Sequence, residues 1–511
     1  MKTLPGFLAL CLATLAQAAE PPKPNILLLY ADDLGYGDLR AYNPASKIPT
    51  PHLERLAAEG LRFTDGHSSS GICTPSRYAL LTGRHHWRDF HLHLEAFEGS
   101  VIKPERLTLP EMLRAQGYAT AHIGKWHLGW DWDAIKRPGA EPRTTGKNKV
   151  WGPEAFDWSK PIPDGPLAHG FDSYFGDDVI NFPPYTWIEN DHVLAAPDTL
   201  LDTNAFKPVK EGTWGTRPGP MVTGWDPYQN IPETTRRGVN YIRSRQNAQE
   251  PFFLYFAYPS PHEPIIPNDA FDGKSGAGAY GDSIVETDAS IGQLLRALDE
   301  AGLAQNTIVI FSADNGPEWF AYPRDKKFGH WSSHPLRGAK RDLYEGGHRV
   351  PFLVKWPGVT TPGRVSDALV SQIDLMATLA SVTGAALPAD AAEDSHDLLP
   401  LLRSAEVAPI RTTHVHNTYA KAWAIRHGDW LLIEAATGYG SAQNSDWESR
   451  HGYPADDDQA VELYNLRQDL AQKNNLAAAE PARVAELSAL AKTIRTRGHS
   501  APRLFSQTRL P

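Results

Sequence analysis

Asn25-Ile26-Leu27-Leu28-Leu29-Tyr30-Ala31-Asp32-Asp33-Leu34-Gly35 is the stretch on which the fold turns. From Asn25 to Tyr30 it is apolar without alternation, the pattern of a strand covered on both faces within a parallel sheet. Such a strand implies an α/β class with helices on each side. Asp32 and Asp33 then fall just past its carboxyl end, where open α/β sheets place their ligands. A helix cap or turn is the commoner fate of an aspartate at such a boundary. Two adjacent carboxylates repel unless a cation lies between them, which favours a metal.

Working outward, residues 307–311 form a second buried apolar run, followed by Ser312-Ala313-Asp314-Asn315-Gly316. Asp32, Asp33, Asp314 and Asn315 together make an all-oxygen donor set suited to Ca²⁺ or Mg²⁺ rather than Zn²⁺. Between the two runs, helical patterns (50–59, 108–116, 232–246, 282–301) alternate with strand patterns (61–64, 118–123, 252–258), as a parallel sheet requires. The 282–301 helix carries Ile284, Ile291, Leu294, Leu295 and Leu298 on one face. A strand at 351–356 and a helix at 371–380 follow. Past about residue 405 the pattern changes to a hairpin over 422–433, turning at His427-Gly428, and a helix over 481–495. The chain therefore divides at 24–405 and 406–511. Residues 131–235, rich in Pro, Gly, Trp and Asp, read as long loops over a site rim.

The 511 residues exceed one ordinary domain, and the formal charge of −10 argues against a nucleic-acid partner. Residues 1–18 have the form of a signal peptide: Lys2, an apolar run over 7–15, then Ala16-Gln17-Ala18. No stretch is long and apolar enough to span a bilayer. The expectation is an exported protein, periplasmic or secreted. Loss of the leader removes Cys11 and leaves Cys73 alone, so no intramolecular disulfide is expected.

Cys73 sits in Cys73-Thr74-Pro75-Ser76-Arg77, after the small polar run Ser68-Ser69-Ser70-Gly71. A thiol at a loop-to-helix junction, with an arginine four residues on, lies in positive potential that favours an anion. A lone buried cysteine acting as a small hydrophobe is the plainer reading. Gly124-Lys125-Trp126-His127-Leu128-Gly129 follows a strand and would point Lys125 and His127 to one side. A surface lysine and a satisfied histidine are the plainer reading there. Pro259-Ser260-Pro261-His262-Glu263-Pro264 holds a histidine in a proline-fixed loop at another strand end. Leu336-Arg337-Gly338-Ala339-Lys340 precedes Tyr344-Glu345-Gly346-Gly347.

These motifs, from about Pro24 to about Leu476, resemble those of the type I, formylglycine-dependent sulfatases, an arylsulfatase-like family of the alkaline-phosphatase superfamily. The resemblance implies an α/β sandwich with a large mixed sheet flanked by helices, plus a small antiparallel C-terminal sheet. It implies that a maturation enzyme oxidises Cys73 to Cα-formylglycine, whose hydrate is the nucleophile. One Ca²⁺ would be held by Asp32, Asp33, Asp314, Asn315 and residue 73. Arg77, Lys125 and Lys340 would neutralise the sulfate oxygens. His262, with Lys340, would protonate the departing alcohol, and His127 would take the proton of the second hydroxyl. The expected reaction is hydrolysis of a sulfate ester, with a sulfated carbohydrate as substrate class. A phosphonate or phosphate monoester hydrolase of the same fold stays open, as does an inactive carbohydrate-binding relative if Cys73 is not oxidised.

His169, Asp172, Asp177, Asp178 and Arg337 are the candidate substrate contacts, with Trp187 as a stacking ring. Turn and packing roles for the loop residues remain equally open. His85-His86 and His91-x-His93 read as rim residues, since no thiolate or carboxylate set completes a transition-metal site there.

Overall fold

The computed structural model describes residues 23–145, 148–419, 422–454 and 458–502. The leader reading at 1–18 lies outside them. The large sheet comprises β1 (Asn25–Ala31), β2 (Leu61–His67), β3 (Ala119–Gly124), β4 (Ser173–Gly176), β5 (Ile188–Glu189), β6 (His192–Val193), β7 (Phe252–Ala257), β8 (Thr307–Ala313), β9 (Phe352–Lys355) and β10 (Arg364–Ser371). Their order across the sheet is β10-β2-β9-β8-β1-β7-β3-β4-β5-β6. β8, β1, β7, β3 and β4 run parallel, and β9 inverts the direction beside β8.

Burial on both faces explains the unbroken apolar run of β1. Ile26, Leu28 and Tyr30 enter one core, with residues of α2 (Cys73–Thr82), α3 (Leu109–Ala115) and α6 (Leu375–Thr383). Leu27, Leu29 and Ala31 enter the other, with residues of α1 (Pro51–Glu59), α4 (Asn230–Ser244) and α5 (Gly278–Glu300). A second, antiparallel sheet follows residue 405: β11 (Thr413–His416), β12 (Ala424–His427), β13 (Trp430–Ile433) and β14 (Glu462–Asn465). α7 (Pro481–Thr496) packs Leu487, Ala491 and Ile494 against it.

Register sets the site. Ala31 lies opposite Ala313, so Asp32-Asp33 and Asp314-Asn315 emerge side by side. Gly124 lies opposite Ala257, with φ of 102°. A Cβ there would stand 1.9 Å from the Ala257 carbonyl, so only glycine lets β3 turn into Lys125 at this approach.

Residues 131–235 are more ordered than expected, since β4, β5 and β6 extend the large sheet. Two- and four-residue strands carry no readable period. β2 runs on to His67, and α6 begins only at Leu375, after a 3₁₀ turn over Gln372–Asp374. Among the described residues no helix is long and apolar enough to cross a membrane.

Candidate active site

Cys73 is the first residue of α2, and the helix carries it into the interior at 2% exposure. Its Sγ donates to Asp32 Oδ1 at 3.6 Å. Burial, then the Asp314 charge, pushes the thiol pKa up, so an unmodified Cys73 stays neutral and is a poor nucleophile.

Around it stand three buried carboxylates and three buried cations. Lys125 Nζ donates to Asp32 Oδ2 at 2.5 Å. Arg77 donates twice to Asp314 Oδ2, at 2.8 and 3.1 Å. Lys340 Nζ lies 2.7 and 2.9 Å from the two oxygens of Asp33. Asn315 Nδ2 donates to Asp33 Oδ1 at 2.7 Å, while its Oδ1 is buried without a partner. Burial would raise Asp32, but Lys125, His262 and Arg77 hold it well below the carboxylate range. Asp314 is pushed up to about 7 by burial and by the Asp32 charge. That residual repulsion and the orphaned amide oxygen of Asn315 fit a hard divalent cation held by Asp32, Asp33, Asp314 and Asn315.

His127 and Asp33 adopt left-handed backbone (φ 54° and 62°), an uncommon state for such residues. His127 Nε2 faces the Leu94 carbonyl at 3.0 Å, and its Nδ1 has no partner. Burial and Lys125 hold the ring's pKa well below its usual value. A neutral ring donating from Nε2 leaves Nδ1 as a free proton acceptor. His262 Nδ1 lies 2.6 Å from the Glu263 carbonyl and Nε2 3.8 Å from Asp33 Oδ2. Burial and Lys340 lower His262 to about 4.

Cys73, His127, His262 and Lys340 open onto one pocket of about 130 Å³. Arg77 and Lys125 do not line it. They are fully buried and act on it through the carboxylates they grip.

The candidate substrate contacts are not gathered there. Asp178 Oδ1 accepts from the His127 backbone N–H at 3.1 Å, bracing that residue from behind. Asp177 is buried against Asn230 Nδ2 at 2.6 Å. Asp172 accepts from Thr120 N–H at the start of β3, the sheet end remote from the pocket. His169 pairs with Asp164 at 3.1 Å and stacks on Trp126. Arg337 binds Glu448 at 2.5 Å and lies over the Tyr344 ring. Trp187 stacks on Phe175. His85 and His86 are fully buried rather than on a rim, His85 stacking on Trp87.

His93, Asn181, Arg217, Glu263, Glu318 and Arg341 line the pocket instead. Glu263 and Arg341 adjoin His262 and Lys340, and that adjacency was the available signal. Nothing in the sequence marks Arg217, which long-range packing brings in. A wider cleft of about 720 Å³ shares Gly215 and Arg217 with the pocket and adds Trp151 and Lys149.

Comparison with known proteins meets this geometry. The sulfatase family model matches residues 24–385, and one described as N-sulphoglucosamine sulphohydrolase, C-terminal, matches 338–496. An N-acetylgalactosamine-6-O-sulfatase of Bacteroides thetaiotaomicron is 33% identical, over 93% of this chain and 94% of that protein. Human arylsulfatase A is 35% identical over 83% of this chain and 77% of its own. A solved structure titled as a 6S-sulfatase from glycosaminoglycan metabolism in Bacteroides thetaiotaomicron superposes with a TM-score of 0.76. It is 31% identical and covers 93% of this chain and 100% of that one.

Proposed function

This chain belongs to the sulfatase family and is a sulfuric ester hydrolase, and we propose that it acts on a terminal sulfated hexosamine, N-acetylgalactosamine 6-sulfate foremost. The observation that carries the reading is the pocket itself, where Cys73 meets buried carboxylates, Lys340, His127 and His262. The named 6-O-sulfatase relatives support the sugar and the position. The small pocket opening to a wider cleft at Arg217 suits an exo-acting enzyme, with the sulfated end inside and the rest of the glycan in the cleft.

In this reading Cys73 is oxidised by a maturation enzyme to formylglycine, whose hydrated aldehyde supplies the nucleophilic oxygen. Asp32, Asp33, Asp314 and Asn315 would hold one Ca²⁺, which would supply Lewis-acid charge to the reaction. Lys340, kept charged by Asp33, faces the pocket and neutralises charge developing on the sulfuryl group. Arg77 and Lys125 fix Asp314 and Asp32 and keep that field in place. Lys340 and His262 deliver a proton to the leaving oxygen, His262 taking up its proton once the bound sulfate's negative charge offsets the burial that lowers its pKa, and the free Nδ1 of His127 accepts one from residue 73. The signal-peptide pattern of residues 1–18 in the sequence supports an exported protein, periplasmic or secreted.

The test is release of sulfate from the 6-sulfate and the 4-sulfate, and of phosphate from a 6-phosphate analogue. The 6-sulfate should dominate, Cys73→Ala should abolish turnover, and the active-site peptide should be lighter by about 18 Da. Turnover of the phosphate above the sulfate would overturn the reading.

A further inference from the structure

Beneath the loop leading to Cys73 lies a cluster of buried imidazoles that the reaction does not use. His67 ends β2, His348 lies on the short helical turn Glu345–His348, and His414 and His416 project from one face of β11. All four are at most 1% exposed. Ligating atoms of His348, His414 and His416 lie within 4.8 Å of one another, and so do those of His67, Glu345 and His348.

The hydrogen bonds around the rings use one nitrogen each of His67, His348 and His416. His67 Nε2 meets Asp65 Oδ1 at 2.8 Å, and His348 Nε2 and His416 Nε2 both meet the Leu343 carbonyl, at 3.4 and 3.2 Å. With those nitrogens as donors, each Nδ1 carries a lone pair. Two of these, on His67 and His348, then face each other at 3.0 Å. His416 Nδ1, both nitrogens of His414 and Glu345 Oε1 are buried with no partner. Imidazoles held through one nitrogen, as His67, His348 and His416 are, with unpartnered ring nitrogens within 4.8 Å of one another, are what a metal site requires.

We propose that His348, His414 and His416 bind one structural transition-metal ion, zinc in the first instance, with a fourth ligand drawn from His67 or Glu345, which group with His348 and would shift toward His414 and His416. Imidazole donors select a borderline cation, unlike the oxygen donors of the catalytic pocket. The four rings are shut away from solvent and substrate, so the role is structural. The ion would clip β11 of the C-terminal sheet to the end of β2, six residues before Cys73. Ser68 N–H already donates to the His348 carbonyl at 2.8 Å, and Ser70 Oγ to the Asn417 carbonyl at 2.9 Å, so the clip would steady the nucleophile loop.

The test uses untagged full-length protein made in zinc-supplemented medium and dialysed before elemental analysis. About one equivalent of zinc per chain is expected, independent of calcium. A His414→Ala, His416→Ala double variant should lose zinc at least about tenfold while retaining calcium. Should that variant not fold, wild-type protein made with cobalt should show the visible bands of a tetrahedral Co²⁺ site. Wild-type protein with under about a tenth of an equivalent of any transition metal, and no cobalt bands, would overturn the proposal. Undiminished zinc in a folded double variant would overturn it equally.

Discussion

At His262, Nδ1 is occupied by the Glu263 carbonyl and Nε2 lies near Asp33, and under the proposed function this ring hands a proton to the departing oxygen. A sugar alkoxide needs that proton and a nitrophenolate does not. His262→Ala should therefore lower kcat about 10²- to 10⁴-fold on a sugar sulfate, and by less than about tenfold on 4-nitrophenyl sulfate. Steady-state rates on both substrates check this. Asp178 calls for the opposite pattern. It touches the His127 backbone and does not line the pocket, so Asp178→Ala should depress kcat on both substrates by the same factor, with KM little changed. A loss confined to the sugar substrate would return Asp178 to the substrate contacts.

Among the elements, α1 shows a cap its own sequence does not supply. Thr50 precedes Pro51 as the expected cap, yet its side chain makes no capping bond. Asp288 of α5 does so instead, accepting from His52 N–H at 3.1 Å and Leu53 N–H at 2.8 Å. Burial pushes Asp288 up to about 7. A folded-state pKa above the unfolded value of about 4 adds stability that is complete below pH ~4 and is lost as pH rises through 7. Asp288→Asn should flatten the fall in Tm between pH 4 and 7, as a calorimetric pH series would show. The helix itself was legible from Pro51 and Gly60, because those signals are local. Its real cap was not, because it lies 236 residues away.

Over the whole molecule, Arg337 ties the large sheet's loops to the C-terminal unit. Its guanidinium meets Glu448, Tyr464 Oη and the Gln472 carbonyl, and lies over the Tyr344 ring. Arg337→Ala strands the buried Glu448, so stability should fall by about 3–5 kcal/mol while KM for the sulfate ester stays within about twofold. Chemical denaturation and kinetics on the same preparation separate that docking role from substrate contact.

The sequence by itself determined the α/β class, the strands β1, β3, β7 and β8, and the pocket residues Cys73, His127, His262 and Lys340. Each of these is written locally, in an apolar run, a Gly or Pro at a boundary, or a motif of adjacent residues. That Asp32-Asp33 and Asp314-Asn315 form one donor set was read from their matching strand ends, and the Ala31–Ala313 register is the tertiary feature that puts them side by side. Only the tertiary structure placed Asp172 at the far end of β3, Arg337 against Glu448, and Arg217 at the pocket mouth. It also brought together His67, His348, His414 and His416, of which only the His414-x-His416 alternation on one strand face could have been read in advance. A side chain's partners across hundreds of residues depend on which strands pair and in what register. That choice is made by burial of the whole core, and no short stretch of the chain records it.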